Sequence, residues 1–350
     1  MTKSDDLIIW IMNVGRGLSI MIKTPQNYCV LYDLGSSEFS PLDFYIKNKI
    51  FDDFDLFKGK KIAQCIISHP HKDHISDLTD EHTKFIQDNS YFITCQNDKA
   101  ENKSGYAIKM ERINNPDGSD ELISNYKSLY KKRELPLVNI DPDIDSSDFQ
   151  MGYYYLSSKQ VEKIFPEDNQ EYANSLSIVL YLSYKGNSII IPGDINPEAF
   201  KIILNGNCEK RFTNYNSKLS SRKNNQWATK TENQPSLKSL VNNGLDLLIA
   251  PHHGLESGYP KCLIDILTDN GKDNRPYVIF ASEKIHNAPN SGKSAQEYHN
   301  GTAAKGIKDN EGNTRYFYST VNDGFMKIVI NQEVTIYSEK DEKKILRLFK

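Results

Sequence analysis

The chain has 350 residues, enough for one large domain or two of ordinary size with a substantial core. Its 43 Lys and Arg residues nearly balance 46 Asp and Glu residues, and the formal net charge of −3 excludes a protein that coats nucleic acid over its whole surface. With 20 Tyr and 15 Phe, the composition also excludes wholesale disorder.

The sequence carries no targeting or membrane signal. No apolar run approaches the roughly 20 residues that cross a bilayer, and the N-terminal residues lack the basic-then-apolar pattern of a signal peptide. The five cysteines are scattered without a Cys-x-x-Cys pair, which is typical of reduced thiols. We therefore expect a cytoplasmic protein without a membrane span.

The first elements in chain order are predicted to form a meander of antiparallel strands. Apolar or alternating runs occupy Leu7–Met12, Leu18–Lys23 and Tyr28–Tyr32, with glycine-containing turns between them. A helix is predicted near Leu42–Ile50, and a buried strand at Ile62–Ser68 follows it.

The remainder alternates between predicted strands and helices, which favours a single α/β domain over residues 1–338. We expect a polar insertion at about 96–150, a basic insertion at about 205–235 and a charged tail at 339–350. The later predicted strands lie at Ser175–Tyr184, Asn187–Pro192, Leu245–Ala250, Tyr277–Ala281 and within Phe325–Tyr337.

Histidine placement is the most informative feature of the sequence, because five of the 8 histidines fall in two clusters. They are His69, His71 and His74, then His252 and His253. Side chains of an extended segment alternate in direction, so His69 and His71 can share one face and bind one ion, while Asp73 and His74 can turn toward a second. Imidazole with carboxylate suits zinc, and also manganese or iron. The alternative is a chance cluster of surface histidines.

Three motifs resemble those of the metallo-β-lactamase-fold hydrolases and occur in the expected order. They are His69-Pro70-His71-Lys72-Asp73-His74, the strand that ends in Gly193-Asp194, and Pro251-His252-His253-Gly254. The resemblance implies a four-layer αββα sandwich with two divalent metal ions, zinc being favoured over manganese. It also implies the metal ligands His69, His71, Asp73, His74, Asp194 as the bridging group, and His253.

Further motifs are similar to the hydrolase domain of ComEC-type DNA-uptake proteins and their soluble relatives. They are the His-His-Gly at 252–254, the glycine-containing segment at 13–17, Asp33-Leu34-Gly35, and the segments at 174–177 and 319–325. The chain departs from that branch in lacking the two acidic residues that the branch carries in the motif at 13–18. No separate strand histidine lies between His74 and Asp194, and the resemblance places Asn174 at the missing third ligand of the first ion.

Two roles follow from the resemblance for the remaining polar residues. Asp73 would accept a proton from the attacking water, and His252 would contact substrate or donate a proton, with His253 as the metal ligand. The reverse assignment of the two histidines stays open, as does a buried structural role for His252. His286 is a second candidate proton donor or substrate contact, and a plain surface loop is its alternative.

A basic segment from Lys210 to Lys230 is the best indication of substrate. It has six basic residues, no acidic residue and interleaved aromatic side chains, a composition that suits a phosphodiester backbone and its bases. A solvated loop is the alternative. The predicted substrate-binding residues are Asn174, His286, Lys210, Arg211, Arg222 and Lys223.

These observations favour a metal-dependent phosphodiesterase or nuclease acting on nucleic acid or a nucleotide-like phosphodiester. One alternative is a small-molecule ester hydrolase, similar to a phosphorylcholine esterase or a lactamase. The other is a regulatory module of the same fold that depends on a partner protein.

Overall fold

The computed structural model describes most of the chain. The described residues are 5–15, 17–37, 39–94, 120–132, 149–165, 171–212, 235–269, 274–281, 294–308, 312, 314–342 and 349. Within these ranges no helix is both long and apolar enough to cross a bilayer.

Among the described residues, seven strands form the first sheet. They are β1 (Leu7–Ile11), β2 (Ser19–Lys23), β3 (Cys29–Leu34), β4 (Ile62–Ile67), β5 (Ser90–Thr94), β15 (Met326–Ile330) and β16 (Val334–Ser338). Their spatial order is β16-β15-β1-β2-β3-β4-β5. The predicted N-terminal meander is confirmed, because β1, β2 and β3 pair antiparallel, while β3, β4 and β5 pair in parallel.

In the same described ranges, a second sheet also has seven strands. They are β6 (Phe149–Tyr155), β7 (Val179–Tyr184), β8 (Asn187–Ile191), β9 (Glu209–Phe212), β10 (Leu247–Ile249), β11 (Tyr277–Phe280) and β14 (Tyr318–Ser319). Their order is β14-β11-β10-β8-β7-β6-β9, and β8, β10, β11 and β14 run parallel. A small separate ribbon pairs β12 (Ile307–Lys308) with β13 (Thr314–Arg315).

Short helices connect the strands. The α-helices are Pro41–Lys47, Lys72–Ile75, Asp80–Asn89, Asp120–Lys131, Ser158–Val161, Glu171–Ser175, Pro197–Leu204, Leu237–Val241, Lys261–Thr268, Gln296–His299, Thr320–Asp323 and Glu339–Glu342. The 3₁₀ helices are Ile50–Asp53, Pro251–Gly254 and Glu256–Gly258.

The two sheets pack face to face, and helices cover their outer faces. In β1, Leu7, Ile9 and Ile11 belong to the core between the sheets, whereas Ile8 and Trp10 pack in the outer core that includes the helices. Strands covered on both faces carry continuous apolar runs, because neither face meets water. The result is the four-layer αββα sandwich expected from the sequence.

One predicted strand boundary is wrong. Residues 171–175 are helical, and β7 begins only at Val179 instead of Ser175. The backbone of Ile178 bonds outside its own sheet: its N–H donates to Ser68 O at 3.1 Å and its carbonyl accepts from the Tyr32 hydroxyl at 2.6 Å. These tertiary hydrogen bonds draw the segment toward the first sheet.

The predicted insertions lie largely outside the described residues, at 95–119, 133–148 and 213–234. Within the first of them, helix Asp120–Lys131 packs beside helix Asp80–Asn89. The segment predicted as a charged tail contributes Phe349, whose ring stacks on Trp10 with centroids 5.3 Å apart.

Candidate metal centre

The predicted motifs converge at one edge of the sandwich. His69 to His74 follow β4, Asp194 follows β8, and His252 and His253 follow β10. Carboxyl ends of neighbouring parallel strands meet at one sheet edge, which is where open α/β sheets bind ligands. Segments that are distant in sequence therefore place their polar side chains together.

Four of these side chains form a compact cluster. Asp73, His74, Asp194 and His253 each offer one ligand atom, and the four atoms lie within 4.8 Å of one another. Asp194 Oδ2 lies 3.2 Å from His74 Nε2 and 3.5 Å from His253 Nε2. Asp73 Oδ2 lies 3.4 Å from His253 Nε2. Two carboxylates and two imidazoles thus face one point.

Hydrogen bonds accepted by Asp33, directly from His74 and through Ser68 from His69, fix the orientation of two histidine rings. Asp33 Oδ2 accepts from His74 Nδ1 at 2.7 Å and from Ser68 Oγ at 2.8 Å. Since the single Ser68 hydroxyl hydrogen points to Asp33, Ser68 Oγ can only accept from His69 Nδ1, 3.0 Å away. The neutral form of each ring therefore carries its proton on Nδ1 and leaves Nε2 available to a metal ion, as in a metal-binding histidine.

A backbone carbonyl fixes His253 in the same tautomer. His253 Nδ1 donates to Ala281 O at 2.6 Å, so Nε2 of the neutral ring bears the lone pair. His252 and His253 both have left-handed backbone angles, with φ of 48° and 56°. Such angles cost non-glycine residues free energy of order 1 kcal/mol and cluster at functional sites.

Buried charges of opposite sign shift the pKa values of the cluster. Burial alone would lower the pKa of His74 and His253, but Asp194 and the other facing carboxylates raise it in both. Burial would raise the pKa of Asp73 and Asp194, yet the same histidines hold both below the usual range. The two carboxylates therefore remain ionised and attract positive charge.

The cluster fits a divalent ion. His74 Nε2 and His253 Nε2 are buried, and among the described residues neither has a hydrogen-bond partner. Ligand atoms of a tetrahedral zinc ion lie about 3.4 Å apart, given bonds of about 2.1 Å. Three of the four separations between the histidine nitrogens and the carboxylate oxygens are 3.2–3.5 Å and match that spacing, while His74 Nε2 lies 4.0 Å from Asp73 Oδ1.

Two facing mixed sheets, helices on both outer faces and this cluster at their shared edge decide the fold. The chain has the metallo-β-lactamase fold. No protein-family profile and no curated protein matches it.

Three solved structures show limited likeness to the chain. AidC, a dizinc quorum-quenching lactonase in complex with a product, is 16% identical over 51% of this chain and 57% of its own, with a TM-score of 0.30. A metallo-beta-lactamase candidate from Thermotoga maritima is 14% identical over 57% of this chain and 86% of its own, with a TM-score of 0.28. A long-form RNase Z from yeast is 12% identical over 100% of this chain and 44% of its own, with a TM-score of 0.38. These likenesses do not indicate a reaction or substrate for this chain.

His69 and His71, the predicted ligands of the first metal ion, lie beside the cluster. His69 Nε2 is 3.0 Å from His71 Nδ1, and the rings of His69 and His74 have centroids 4.2 Å apart. Burial lowers the pKa of both His69 and His71, which keeps their rings neutral. Asn174 is buried, and its side-chain oxygen Oδ1 has no hydrogen-bond partner among the described residues.

His252 is placed at the margin of the cluster. Its Nε2 lies 3.9 Å from Asp194 Oδ2, farther than that of His253, and Ser257 Oγ lies 3.0 Å from its Nδ1. The side chain is 22% exposed, against 12% for His253. His252 is therefore the more accessible of the two rings to a bound substrate.

The predicted basic residues lie apart from the cluster. Lys210 and Arg211 belong to β9, the edge strand of the second sheet, three strands from β8 and thus about 14 Å away. Arg211 lies opposite Tyr153 of β6, Tyr153 lies opposite Leu180 of β7, and Leu180 lies opposite Ile191 at the carboxyl end of β8. Lys210 and Arg211 therefore lie toward the same end of the strands as the cluster, although β9 is at the side of the sheet. Arg222, Lys223 and His286 lie outside the described residues.

Asp33 and two glycines support the cluster, although the sequence motifs predict no role for them. A Cβ on Gly35 or Gly17 would collide with the carbonyl oxygen of Asp73, which accepts from Leu18 N–H at 3.1 Å. Both glycines therefore let the metal-binding loop lie against the first sheet. The motifs at 13–17 and 33–35 carried this signal, but only the fold shows what they contact.

Proposed function

We propose that the chain is a metal-dependent hydrolase whose second metal ion is held by Asp73, His74, Asp194 and His253. The cluster of these four residues, in which the Nε2 atoms of two buried imidazoles face two carboxylates, is the observation that carries the proposal. His69 and His71 would hold the first ion, with Asp194 bridging and Asn174 nearby. Bound divalent ions of this kind supply hydroxide at neutral pH and stabilise charge on the reacting oxygen.

Two residues of the chain would handle protons during hydrolysis. The side chain of Asp73 is 21% exposed, so its carboxylate can contact a water molecule at the mouth of the site and would accept its proton. His252 faces the same mouth, with Ser257 holding its ring. It would contact the substrate or donate a proton to the leaving oxygen.

We propose that the substrate is a phosphodiester of nucleic acid, because the ComEC-type resemblance implies cleavage of nucleic acid. Lys210 and Arg211 support this choice, because they lie on the sheet edge that carries the cluster, about 14 Å from β8. A small ester bound at the cluster cannot span that distance, whereas a strand of several nucleotides can. Phosphate contacts from such cations strengthen binding of a polymer independently of its sequence.

The test compares metal-loaded wild type with Asp73→Ala on single-stranded DNA, duplex DNA, RNA and bis(p-nitrophenyl) phosphate. We expect wild type to cleave at least one nucleic acid and Asp73→Ala to lose at least 100-fold in rate. The double variant Lys210→Ala/Arg211→Ala should raise KM for oligonucleotides while leaving the small diester unaffected. Equal cleavage by wild type and Asp73→Ala contradicts the hydrolase assignment.

A second panel of a phosphorylcholine ester, a lactone and a β-lactam tests the small-ester alternative. Rapid turnover of one of these by wild type, with no nucleic-acid cleavage, would replace the nuclease assignment and retain the metal site. Activity that emerges only on addition of a second protein would instead support the partner-dependent alternative.

A further inference from the structure

Glu171 lies between two asparagine side chains next to the candidate metal centre. Its Oε2 accepts from Asn174 Nδ2 at 3.3 Å and from Asn196 Nδ2 at 3.2 Å. Asn174 is at the end of helix Glu171–Ser175, and Asn196 comes two residues after Asp194. The carboxylate therefore connects the helix before β7 with the turn that carries Asp194.

A carboxylate that only accepts hydrogen bonds fixes the orientation of an amide beside it. Both asparagines must turn their NH₂ groups toward Glu171, since a reversed amide would place its oxygen against the carboxylate. In Asn196 this leaves Oδ1 free to cap helix Pro197–Leu204 by accepting from Glu198 N at 2.9 Å. In Asn174 the same constraint turns Oδ1 away from Glu171.

Ser177 links Asn174 to His69. Its backbone oxygen accepts from Ser177 N at 3.0 Å, and Ser177 Oγ lies 3.3 Å from His69 Nδ1. The residue is only 4% exposed, and its Oδ1 has no hydrogen-bond partner among the described residues. A buried carbonyl oxygen without a partner is unfavourable unless a cation or a hydrogen-bond donor meets it.

We infer that Glu171 is a positioning residue that holds the Asn174 amide with its oxygen directed at the first metal ion. The inference rests on the proposed function, because it requires the first ion beside His69 and His71. Asn174 supplies the neutral oxygen ligand, and Glu171 acts only through it. Residues that orient a metal ligand typically change metal affinity 10- to 100-fold when they are removed.

The experiment measures stepwise zinc binding by calorimetry and zinc content by mass spectrometry. His71→Ala identifies the step that belongs to the first ion, because that step is lost. Glu171→Leu removes the hydrogen-bond acceptor, so the Asn174 amide can reverse. We expect the affinity for the first ion to fall at least tenfold, while the affinity of the other binding step stays within twofold of wild type. Asn196→Ser removes the second hydrogen bond to Glu171, retains a helix-capping hydroxyl and should leave both steps within twofold.

A rescue variant separates positioning from a general structural role. Asn174→Asp alone sets two carboxylates about 3.3 Å apart and should weaken the first step. Adding Glu171→Gln lets the glutamine NH₂ group take the place of Oε2 and donate to the carboxylate introduced at position 174. Asn196 then loses its acceptor, a loss whose effect the Asn196→Ser variant measures by itself. We expect Glu171→Gln/Asn174→Asp to recover first-ion affinity to within threefold of wild type, which repair of the fold alone would not produce.

Three outcomes overturn the inference. They are an unchanged first-ion affinity in Glu171→Leu, an equal fall in both binding steps, and a double variant that binds no better than Asn174→Asp alone. Wild type that binds no zinc refutes the proposed metal centre itself. Wild type that binds two zinc ions but hydrolyses no substrate refutes only the proposed activity and leaves this inference standing.

Discussion

At the scale of single residues, Asp33 organises the candidate metal centre without facing it. Its carboxylate accepts from Ser68 N at 2.6 Å, from Ser68 Oγ and from His74 Nδ1, so one buried acid sets the tautomers of His69 and His74. Burial raises its pKa, and these hydrogen bonds oppose the rise. The acid thus remains a competent acceptor inside the core.

Replacing Asp33 should therefore weaken metal binding at both ions. In Asp33→Ala the His74 Nδ1 proton loses its acceptor and Ser68 Oγ is free to donate to His69, so we expect zinc affinity to fall 10- to 100-fold. Competition with a chromophoric chelator measures the change. Asp43→Asn, on helix Pro41–Lys47 and outside the cluster, is the control and should bind zinc as wild type does. Unchanged affinity in Asp33→Ala contradicts the tautomer argument.

At the scale of elements, sequence periodicity located strands better than it located their ends. β1 to β3 were predicted because apolar residues fill both faces of covered strands, a property of local sequence. The start of β7 was misplaced because Ile178 bonds to the other sheet, which no local pattern records. The parallel pairing of Tyr32 with Ile66 sets Asp33 beside Ser68, and this register likewise emerges only from the assembled sheet.

His82 links helix Asp80–Asn89 to helix Pro41–Lys47 and makes that contact pH-dependent. Burial alone would lower its pKa, but hydrogen bonds with Asp77 and Asp43 raise it to about 9. His82 Nδ1 lies 2.6 Å from Asp77 O, and Nε2 lies 3.0 Å from Asp43 Oδ1. Both ring nitrogens therefore donate when the ring is charged.

Because the folded pKa of His82 exceeds its ordinary value of 6.5, the charged ring stabilises the fold fully below pH 6.5. This stabilisation declines as the pH rises and is lost above about 9. We expect His82→Gln to lower the free energy of unfolding by on the order of 1 kcal/mol more at pH 6 than at pH 10. Urea unfolding of both proteins at the two pH values measures it, and an equal deficit at both would refute a charged His82.

At the scale of the whole molecule, the candidate metal centre joins the two sheets. Asp73 and His74 follow a strand of the first sheet, whereas Asp194 and His253 follow strands of the second. A bound ion therefore crosslinks both halves of the sandwich. Direct contacts do the same, since the Tyr32 hydroxyl of the first sheet donates to Ile178 O at 2.6 Å.

Metal removal should thus destabilise both sheets together. A ligand that binds only the folded state at 1,000 times its dissociation constant stabilises that state by about 4 kcal/mol, so chelation should lower Tm by several degrees in a single transition. Amide hydrogen exchange should accelerate at the carboxyl ends of β4 and β10 alike, because each loses a ligand-bearing turn that was held in place. His253→Ala supplies the matched control, since chelation should lower its Tm less than that of wild type. Two separate transitions, of which chelation shifts one, would instead indicate two independent halves and contradict the single domain predicted over residues 1–338.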